Sequence, residues 1–200
     1  MQEIRGIDLD EVLFETMDGL LDFHNHQING IHVTREDITD YHIHKIKKLW
    51  MDLPCNIQFW DTFQTSEKVH DIKPVAGARE GLIKLLSQEK SLISITGRCD
   101  VHKPWTYKAL EKHYSGLISE VFFLNAYADL SSHKITQTTK WEICKEQWAT
   151  VMVEDDLHYA LELADKEIKV YLLDKPWNQQ YQNGMHNNII KVSWRKDIDI

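Results

Sequence analysis

The spacing of hydrophobic residues changes twice along this chain. Residues 4–9 form a short apolar run typical of a β-strand, whereas residues 12–72 carry apolar positions at helical spacing among many His, Asp and Lys residues. From residue 74 onward, helical stretches alternate with short apolar runs. The pattern predicts one β-strand, then a helical insert, and then an alternating α/β region.

Three helices are predicted within the insert: one over 12–26, one that starts at Thr34 and runs toward Trp50, and one that begins at Pro54. After residue 74 the predicted helices span 77–87, 104–114, 140–147 and 157–165, and the predicted strands span 91–96, 121–124, 150–153 and 169–173. Helices and strands in alternation favour a parallel sheet with right-handed crossovers, covered by helices on both faces.

The predicted fold class is therefore α/β, a Rossmann-like parallel sheet flanked by helices with a small helical cap inserted after the first strand. We predict a core formed by residues 1–15 and 74–200 and a cap formed by residues 16–73. We find no repeat, low-complexity tract or Pro/Gly-rich linker that would separate two independent domains.

Polar side chains stand where several predicted strands end. Asp8 and Asp10 follow the first strand, Thr96, Gly97 and Arg98 the second, and the acidic run 154–156 the fourth, while Lys140 opens the helix before the fourth. Ligand sites of such sheets lie beyond the carboxyl ends of the strands, so we expect these groups to converge. Carboxylates with open positions suit Mg²⁺, and a lysine, a hydroxyl and backbone N–H groups suit a phosphate.

This set of groups predicts hydrolysis of a phosphate monoester. Asp8 can attack phosphorus and form an aspartyl-phosphate, and Asp10 can protonate the leaving alcohol and then deprotonate water. Asp8 and Asp155 can supply carboxylates to Mg²⁺. Thr96, Gly97 and Lys140 are the candidate phosphate-binding residues.

Four motifs in this order resemble those of the haloacid dehalogenase-like phosphatase superfamily: residues 8–12 (DLDEV), 95–96 (IT), Lys140 and 154–156 (EDD). Four further segments are similar to the 5'(3')-deoxyribonucleotidase-like branch, namely residues 74–82, 140–145, 153–160 and 173–178. The resemblance covers nearly the whole chain. It implies a C1-type helical cap, Asp8 as nucleophile, Asp10 as acid/base, and Mg²⁺ held by Asp8, the Asp10 carbonyl and Asp155. It also implies a (deoxy)nucleoside monophosphate as substrate.

Two residues depart from the motifs of the superfamily. Glu11 stands where the commonest motif has Gly, which puts phosphate affinity and substrate size in question. Glu154 stands where many members have Gly or Asp. Both carboxylates, together with Asp156, are further candidates for the site, although Asp156 is equally suited to cap the next helix.

Other assignments stay open between a functional and a structural role. Arg98 can contact phosphate or brace its loop, and Lys134 competes with Lys140 as the motif lysine. Trp60 and Phe63 are candidates for substrate contact in the cap, but they and their neighbours Trp50 and Phe59 have the spacing of cap core residues. Two more aromatics, Trp141 and Trp148, are expected to form one buried stripe.

The composition of the chain limits the kinds of molecule that it is expected to bind. The formal net charge is −8 and the pI is about 5.7, so we expect no polymeric nucleic acid as a partner. The apolar runs are too short to cross a membrane, and the N-terminus lacks a secretory pattern, so we expect a cytosolic protein that binds a small phosphate ester. The sequence does not decide whether the protein forms a homodimer. The alternatives are a phosphatase of another metabolite, such as a sugar phosphate, and a pseudo-phosphatase that binds without turnover.

Overall fold

The structure of the protein, a computed structural model, describes residues 3–27, 32–49, 51–88, 91–126 and 138–194. The strands in these ranges are β1 (Ile4–Ile7), β2 (Ser91–Thr96), β3 (Glu120–Phe123), β4 (Ala149–Glu154), β5 (Lys169–Leu173) and β6 (Ile189–Val192). The α-helices are α1 (Thr16–Gln27), α2 (Leu53–Thr65), α3 (Ala78–Ser87), α4 (Lys103–Tyr114), α5 (Lys140–Glu146) and α6 (Leu157–Asp165).

The described strands form one parallel sheet in the order β3-β2-β1-β4-β5-β6. The order reverses between β1 and β4, and such a switch point is where open α/β sheets bind their ligands. Gly6 lies in β1 because its neighbours approach closely: an added Cβ would stand 2.5 Å from Met152 Sδ on β4. The predicted α/β class and parallel sheet are confirmed.

Residues 16–71 contain the helices α1 and α2 and several 3₁₀ turns, but among the described residues no strand of the sheet. Buried aromatic residues pack against one another within this helical segment. Phe63 is fully buried, and its ring lies 5.6 Å from that of Phe23 and 6.2 Å from that of Trp60. No described helix has the length and apolar character needed to span a membrane.

The predicted helix from Thr34 toward Trp50 is wrong. Three short 3₁₀ turns (Arg35–Asp37, Ile43–Lys45 and Lys47–Leu49) occupy the described part, and Trp50 lies outside the described residues. Thr34 does occupy the N-cap position of the first of these turns, where the Asp37 carboxylate accepts from its N–H at 2.9 Å. Its helix does not continue, because the following residues, from Ile38 to His42, are poor helix formers.

Three smaller predictions also differ from the structure. Helix α1 begins at Thr16 rather than at residue 12, because Glu11 adopts a left-handed backbone with φ 63°. The short edge strand β6 has no counterpart among the predictions, although three of its four residues are apolar and β-branched. Trp148 and Trp141 do not form a buried stripe: Trp148 is 83% exposed, at a left-handed turn before β4.

Candidate active site

Asp8 follows β1 directly and lies at the switch point of the sheet. Its backbone N–H donates to the Val153 carbonyl on β4 at 3.0 Å, which fixes the loop beside that strand. The carboxylate is nearly buried, and its Oδ1 accepts from Lys140 Nζ at 2.8 Å. None of the described residues donates to Oδ2, so one oxygen of Asp8 is held and the other is open.

Lys140 is brought to Asp8 by the first turn of α5. The Thr139 hydroxyl accepts from the Glu142 N–H, and the Glu142 carboxylate accepts from the Thr139 N–H, so a capping box sets the start of the helix. Lys140 is 2% exposed, donates to Glu154 as well as Asp8, and has its Nζ 4.6 Å from the ring centre of Tyr159. Its rival Lys134 lies outside the described residues.

The three acidic residues 154–156, at the end of β4, have different hydrogen-bond partners. Glu154 bonds Lys140 through Oε1 and accepts from the Asp155 N–H through Oε2 at 3.1 Å, so both of its oxygens are engaged. The Asp155 Oδ2 accepts from Trp177 Nε1 at 2.9 Å, which leaves Oδ1 open. Asp156 is the N-cap of α6 and accepts from the His158 N–H at 2.8 Å.

Asp8, Glu154 and Asp155 form a buried acidic cluster in which one oxygen of each lies within 4.8 Å of the others. With Lys140 the ionised cluster has three negative charges and one positive charge, a net charge of −2. Burial raises the pKa of Asp8 to about 8 against the opposing effect of Lys140, and burial also raises the pKa of Asp155. Because the negative charges of the cluster outnumber its one positive charge, a hard divalent cation such as Mg²⁺ fits it through Asp8 and Asp155.

Asp10 forms a separate, neutral pair with Arg98. Arg98 donates to both carboxylate oxygens of Asp10, at 3.0 Å from Nε and 2.7 Å from Nη2, and its Nη1 donates to Thr106 on α4. Thr16 donates to Asp10 Oδ1 at 2.6 Å. Burial raises the pKa of Asp10, but Arg98 and these hydrogen bonds outweigh it and hold the pKa below its usual range. Arg98 therefore braces Asp10.

Glu11 joins three parts of the molecule. Its carboxylate accepts from the Met17 N–H at 2.7 Å at the start of α1, from Arg35 in the helical segment, and from Lys175 Nζ, 3.1 Å away, after β5. Glu11 is 4% exposed, so its charge is matched by two partners rather than directed at a ligand. This pairing accounts for a charged residue beside the acidic cluster.

Thr96 and Gly97 lie where the sequence predicts, at the end of β2. Thr96 is fully buried and its hydroxyl accepts from the Arg98 N–H at 3.3 Å. Gly97 lines a cavity that Asp8 and Asp10 also line. The structure thus brings Asp8, Asp10 and Lys140 to one place together with this loop.

A cavity of about 150 Å³ opens above these groups and is covered by the helical segment. Trp60 lines it, whereas Phe63 is not among the lining residues and packs inside the helical segment. Phe59 packs on Phe23. Several lining residues lie outside the motif segments, and only folding brings them to the site: Tyr41, Asn56, Asp61 and His102.

Comparison with solved structures identifies the fold. A predicted phosphatase from Clostridium acetobutylicum matches with a TM-score of 0.65 at 11% identity, over 96% of this chain and 94% of that chain. The L-2-haloacid dehalogenase from Xanthobacter autotrophicus matches with a TM-score of 0.56 at 10% identity, over 86% and 78%. This chain has the haloacid dehalogenase-like fold. The resemblance read from the motifs is therefore confirmed for the fold.

A predicted phosphoglycolate phosphatase from Haemophilus somnus 129pt is also similar in structure to this chain. It matches with a TM-score of 0.60 at 13% identity, over 96% of this chain and 95% of that chain. No protein-family model matches the sequence, and the search of curated proteins finds no match. At these identities the likeness establishes the fold, and activity has to be argued from the site.

Proposed function

We propose that this protein is a Mg²⁺-dependent phosphomonoesterase that acts on (deoxy)nucleoside monophosphates through an aspartyl-phosphate at Asp8. The observation that carries the proposal is the buried acidic cluster with Lys140, at the switch point of the sheet and under a covered cavity. Solved structures of the same fold include proteins described as phosphatases, which supports this reaction class.

In the proposed first step, Asp8 Oδ2 attacks the phosphorus atom while Lys140 holds Oδ1. The P–Oδ2 bond forms, the ester P–O bond breaks, and Asp10 gives its proton to the leaving alcohol. In the second step Asp10 takes a proton from water, the water oxygen bonds to phosphorus, and the Asp8 carboxylate is released. Arg98 lowers the pKa of Asp10, which favours the ionised form that takes the proton in the second step and opposes the protonated form that the first step needs. The proton that Asp10 takes from water in the second step restores the protonated form for the next ester.

Mg²⁺, held by Asp8, Asp155 and the carbonyl of Asp10, would neutralise the phosphate charge and orient the ester. Trp177 keeps Asp155 turned toward this position by donating to its Oδ2. Glu154 keeps Lys140 in place from the buried side. The protein residues thus supply the nucleophile, the acid/base and the arrangement of charge.

The nucleoside part of the proposal is supported by Trp60, which gives the cavity an aromatic wall. Phosphate release should be measured with Mg²⁺ and with a chelator, over 5' and 3' (deoxy)nucleoside monophosphates and several sugar phosphates. Chelator-sensitive release that favours nucleotides is the expected result. Release from sugar phosphates alone would keep the mechanism and reject the nucleotide, and no release from any ester would reject catalysis.

Asp8→Asn tests the covalent step. We expect it to abolish turnover while the protein stays folded, because an amide is a poor nucleophile but still accepts from Lys140. Circular dichroism and the melting temperature check the fold, and phosphate release checks turnover. Activity in a folded Asp8→Asn protein would disprove the aspartyl-phosphate.

Asp10→Asn tests the proton transfer. We expect a loss of roughly 10²–10⁴-fold in kcat, the usual contribution of a general acid or base. The loss should be smaller for esters with acidic leaving groups such as p-nitrophenol, because these need no proton to depart. An equal loss on all esters would instead assign Asp10 to metal or phosphate binding.

A further inference from the structure

The wall of the cavity contains a polar pair far from the motifs. His102 precedes α4, and its Nε2 lies 3.2 Å from Asp61 Oδ1 on α2. Both residues line the same cavity as Asp8, and His102 is 1% exposed. The pair therefore joins the helical segment to the core in the wall of the cavity that Asp8 also lines. The leaving group of an ester bound to Asp8 would extend into this cavity.

The cavity offers little positive charge to a second anion. Its lining lysine and arginine are Lys140 and Arg98, and each is already paired with carboxylates. Three lining histidines remain: His42, His44 and His102. Burial lowers the pKa of His42, and it lowers the pKa of His102 although Asp61 opposes this effect. With a neutral His102 ring, the pair with Asp61 has a net charge of −1.

Three buried polar atoms of the lining residues have no hydrogen-bond partner among the described residues. They are the Nδ2 of Asn56 and both ring nitrogens of His102, whose Nε2 is in contact with Asp61 without forming a hydrogen bond. An amide donor and ring nitrogens without partners favour a ligand that offers hydroxyl, carbonyl or amide groups. They do not compensate the burial of a second carboxylate or phosphate beside Asp61.

We propose that the pair of Asp61 and His102 restricts this enzyme to phosphate esters whose leaving group carries no negative charge. The inference rests on the proposed phosphomonoesterase activity and defines its substrate class. A carboxylate on the leaving group would lie near Asp61 without a free cation, and like charges brought together in a covered site bind poorly. A nucleoside monophosphate has an uncharged leaving group and fits this restriction. A phosphorylated hydroxy acid such as phosphoglycolate has an anionic leaving group and does not fit it.

Three small esters of similar size test the charge rule: 2-phosphoglycolate, ethylene glycol monophosphate and O-phosphoethanolamine. Their leaving groups are anionic, neutral and cationic. We measure kcat/KM with Mg²⁺ at about pH 8, above the range in which histidines ordinarily titrate. We expect kcat/KM for 2-phosphoglycolate to be at least about tenfold below that of either other ester. Equal values, or a preference for 2-phosphoglycolate, would overturn the inference.

Substitutions then assign the effect to the pair. Asp61→Asn should reduce the tenfold difference in kcat/KM between 2-phosphoglycolate and the other two esters. The increase in kcat/KM should be larger for 2-phosphoglycolate than for the others. Glu67→Gln is the matched control, because it removes one charge from an exposed residue that does not line the cavity. A difference that persists in Asp61→Asn, or that shrinks equally in Glu67→Gln, would remove Asp61 from the role.

A binding measurement separates this inference from the proposed function. Calorimetric titration of the Asp8→Asn protein with the three esters and Mg²⁺ needs no turnover. Weaker binding of 2-phosphoglycolate than of the other two supports charge selection even if turnover is slow. Equal binding of all three rejects charge selection while leaving the phosphatase activity intact. If none binds and the wild-type protein hydrolyses no ester, the proposed function fails and the inference fails with it.

Discussion

At the scale of single residues, the site is governed by which oxygens are held and which are open. Asp8 and Asp155 each have one carboxylate oxygen bonded to a neighbour and one without a donor among the described residues, whereas Glu154 has both oxygens engaged. The motif order predicts that these residues meet. It does not predict their division of tasks, because that depends on partners such as Trp177 from a distant segment.

Trp177→Phe tests the support of Asp155. The indole N–H donates to Asp155 Oδ2, so its loss should leave the carboxylate free to rotate. We expect the Mg²⁺ concentration for half-maximal activity to rise about 10–100-fold, with kcat largely kept at saturating Mg²⁺. Titration of activity with Mg²⁺ measures this effect. Trp148→Phe, at an exposed indole, is the matched control and should change nothing. An unchanged Mg²⁺ dependence in Trp177→Phe would contradict the role.

At the scale of elements, the turn between β1 and α1 is under two opposing demands. The left-handed backbone at Glu11 favours Gly, yet the side chain joins α1, the helical segment and the loop after β5. The turn also ends the β1 segment before a helix can begin, which explains why α1 starts at Thr16. Sequence periodicity records neither demand, since both arise from residues far apart in the chain.

Glu11→Gln tests this junction. The substitution keeps the backbone and the hydrogen bond to Met17 but leaves Arg35 and Lys175 without their shared carboxylate. We expect the free energy of unfolding to fall by about 1–3 kcal/mol, as for other partly buried charges that lose a partner. Denaturant unfolding gives the value, and Lys45→Gln, at an exposed ion pair, serves as the control. A stability equal to that of the wild type would show that the junction is not stabilising.

At the scale of the whole molecule, the fold gathers more negative charge than it neutralises. The ends of two strands and the start of one helix bring the acidic cluster and Lys140 to one buried point. When the cluster is fully ionised, its net charge of −2 opposes folding. A ligand that binds only the folded state stabilises it by mass action. The same excess charge that favours Mg²⁺ should therefore make stability depend on Mg²⁺ and on pH.

The pH dependence has a definite sign. The pKa of Asp8 is raised to about 8 in the folded, metal-free protein, so between about pH 4 and 8 the folded state holds a proton that the unfolded chain has lost. The contribution of Asp8 to the free energy of unfolding is greatest below about pH 4 and falls as the pH rises from about 4 to about 8. We expect Mg²⁺ to raise the melting temperature more at about pH 8 than at about pH 5, since protons compete with the metal at the lower pH. Thermal melts with Mg²⁺, and with sodium chloride at equal ionic strength, measure the difference. An equal shift at both pH values would contradict it.

The sequence by itself determined five of the six described strands of the sheet and the groups at its edge. Strands such as Ser91–Thr96 and Lys169–Leu173 are predicted with their observed bounds, because an apolar run between helices has few other places in a parallel sheet. The sequence predicts that Asp8, Asp10, Lys140 and Asp155 come together because each lies next to the end of an element, and the structure places them around one cavity. Position along the chain is enough for these groups.

Only the tertiary structure decided what surrounds them. The pairing of Asp10 with Arg98, the junction at Glu11 and the contact of Asp61 with His102 join segments that lie up to 164 residues apart, as for Glu11 and Lys175. The sequence also predicts a helix where the chain folds into 3₁₀ turns and a buried Trp148 where the indole is exposed. Local pattern reports propensity and period, whereas pairing, cover and exposure depend on which distant surfaces come into contact.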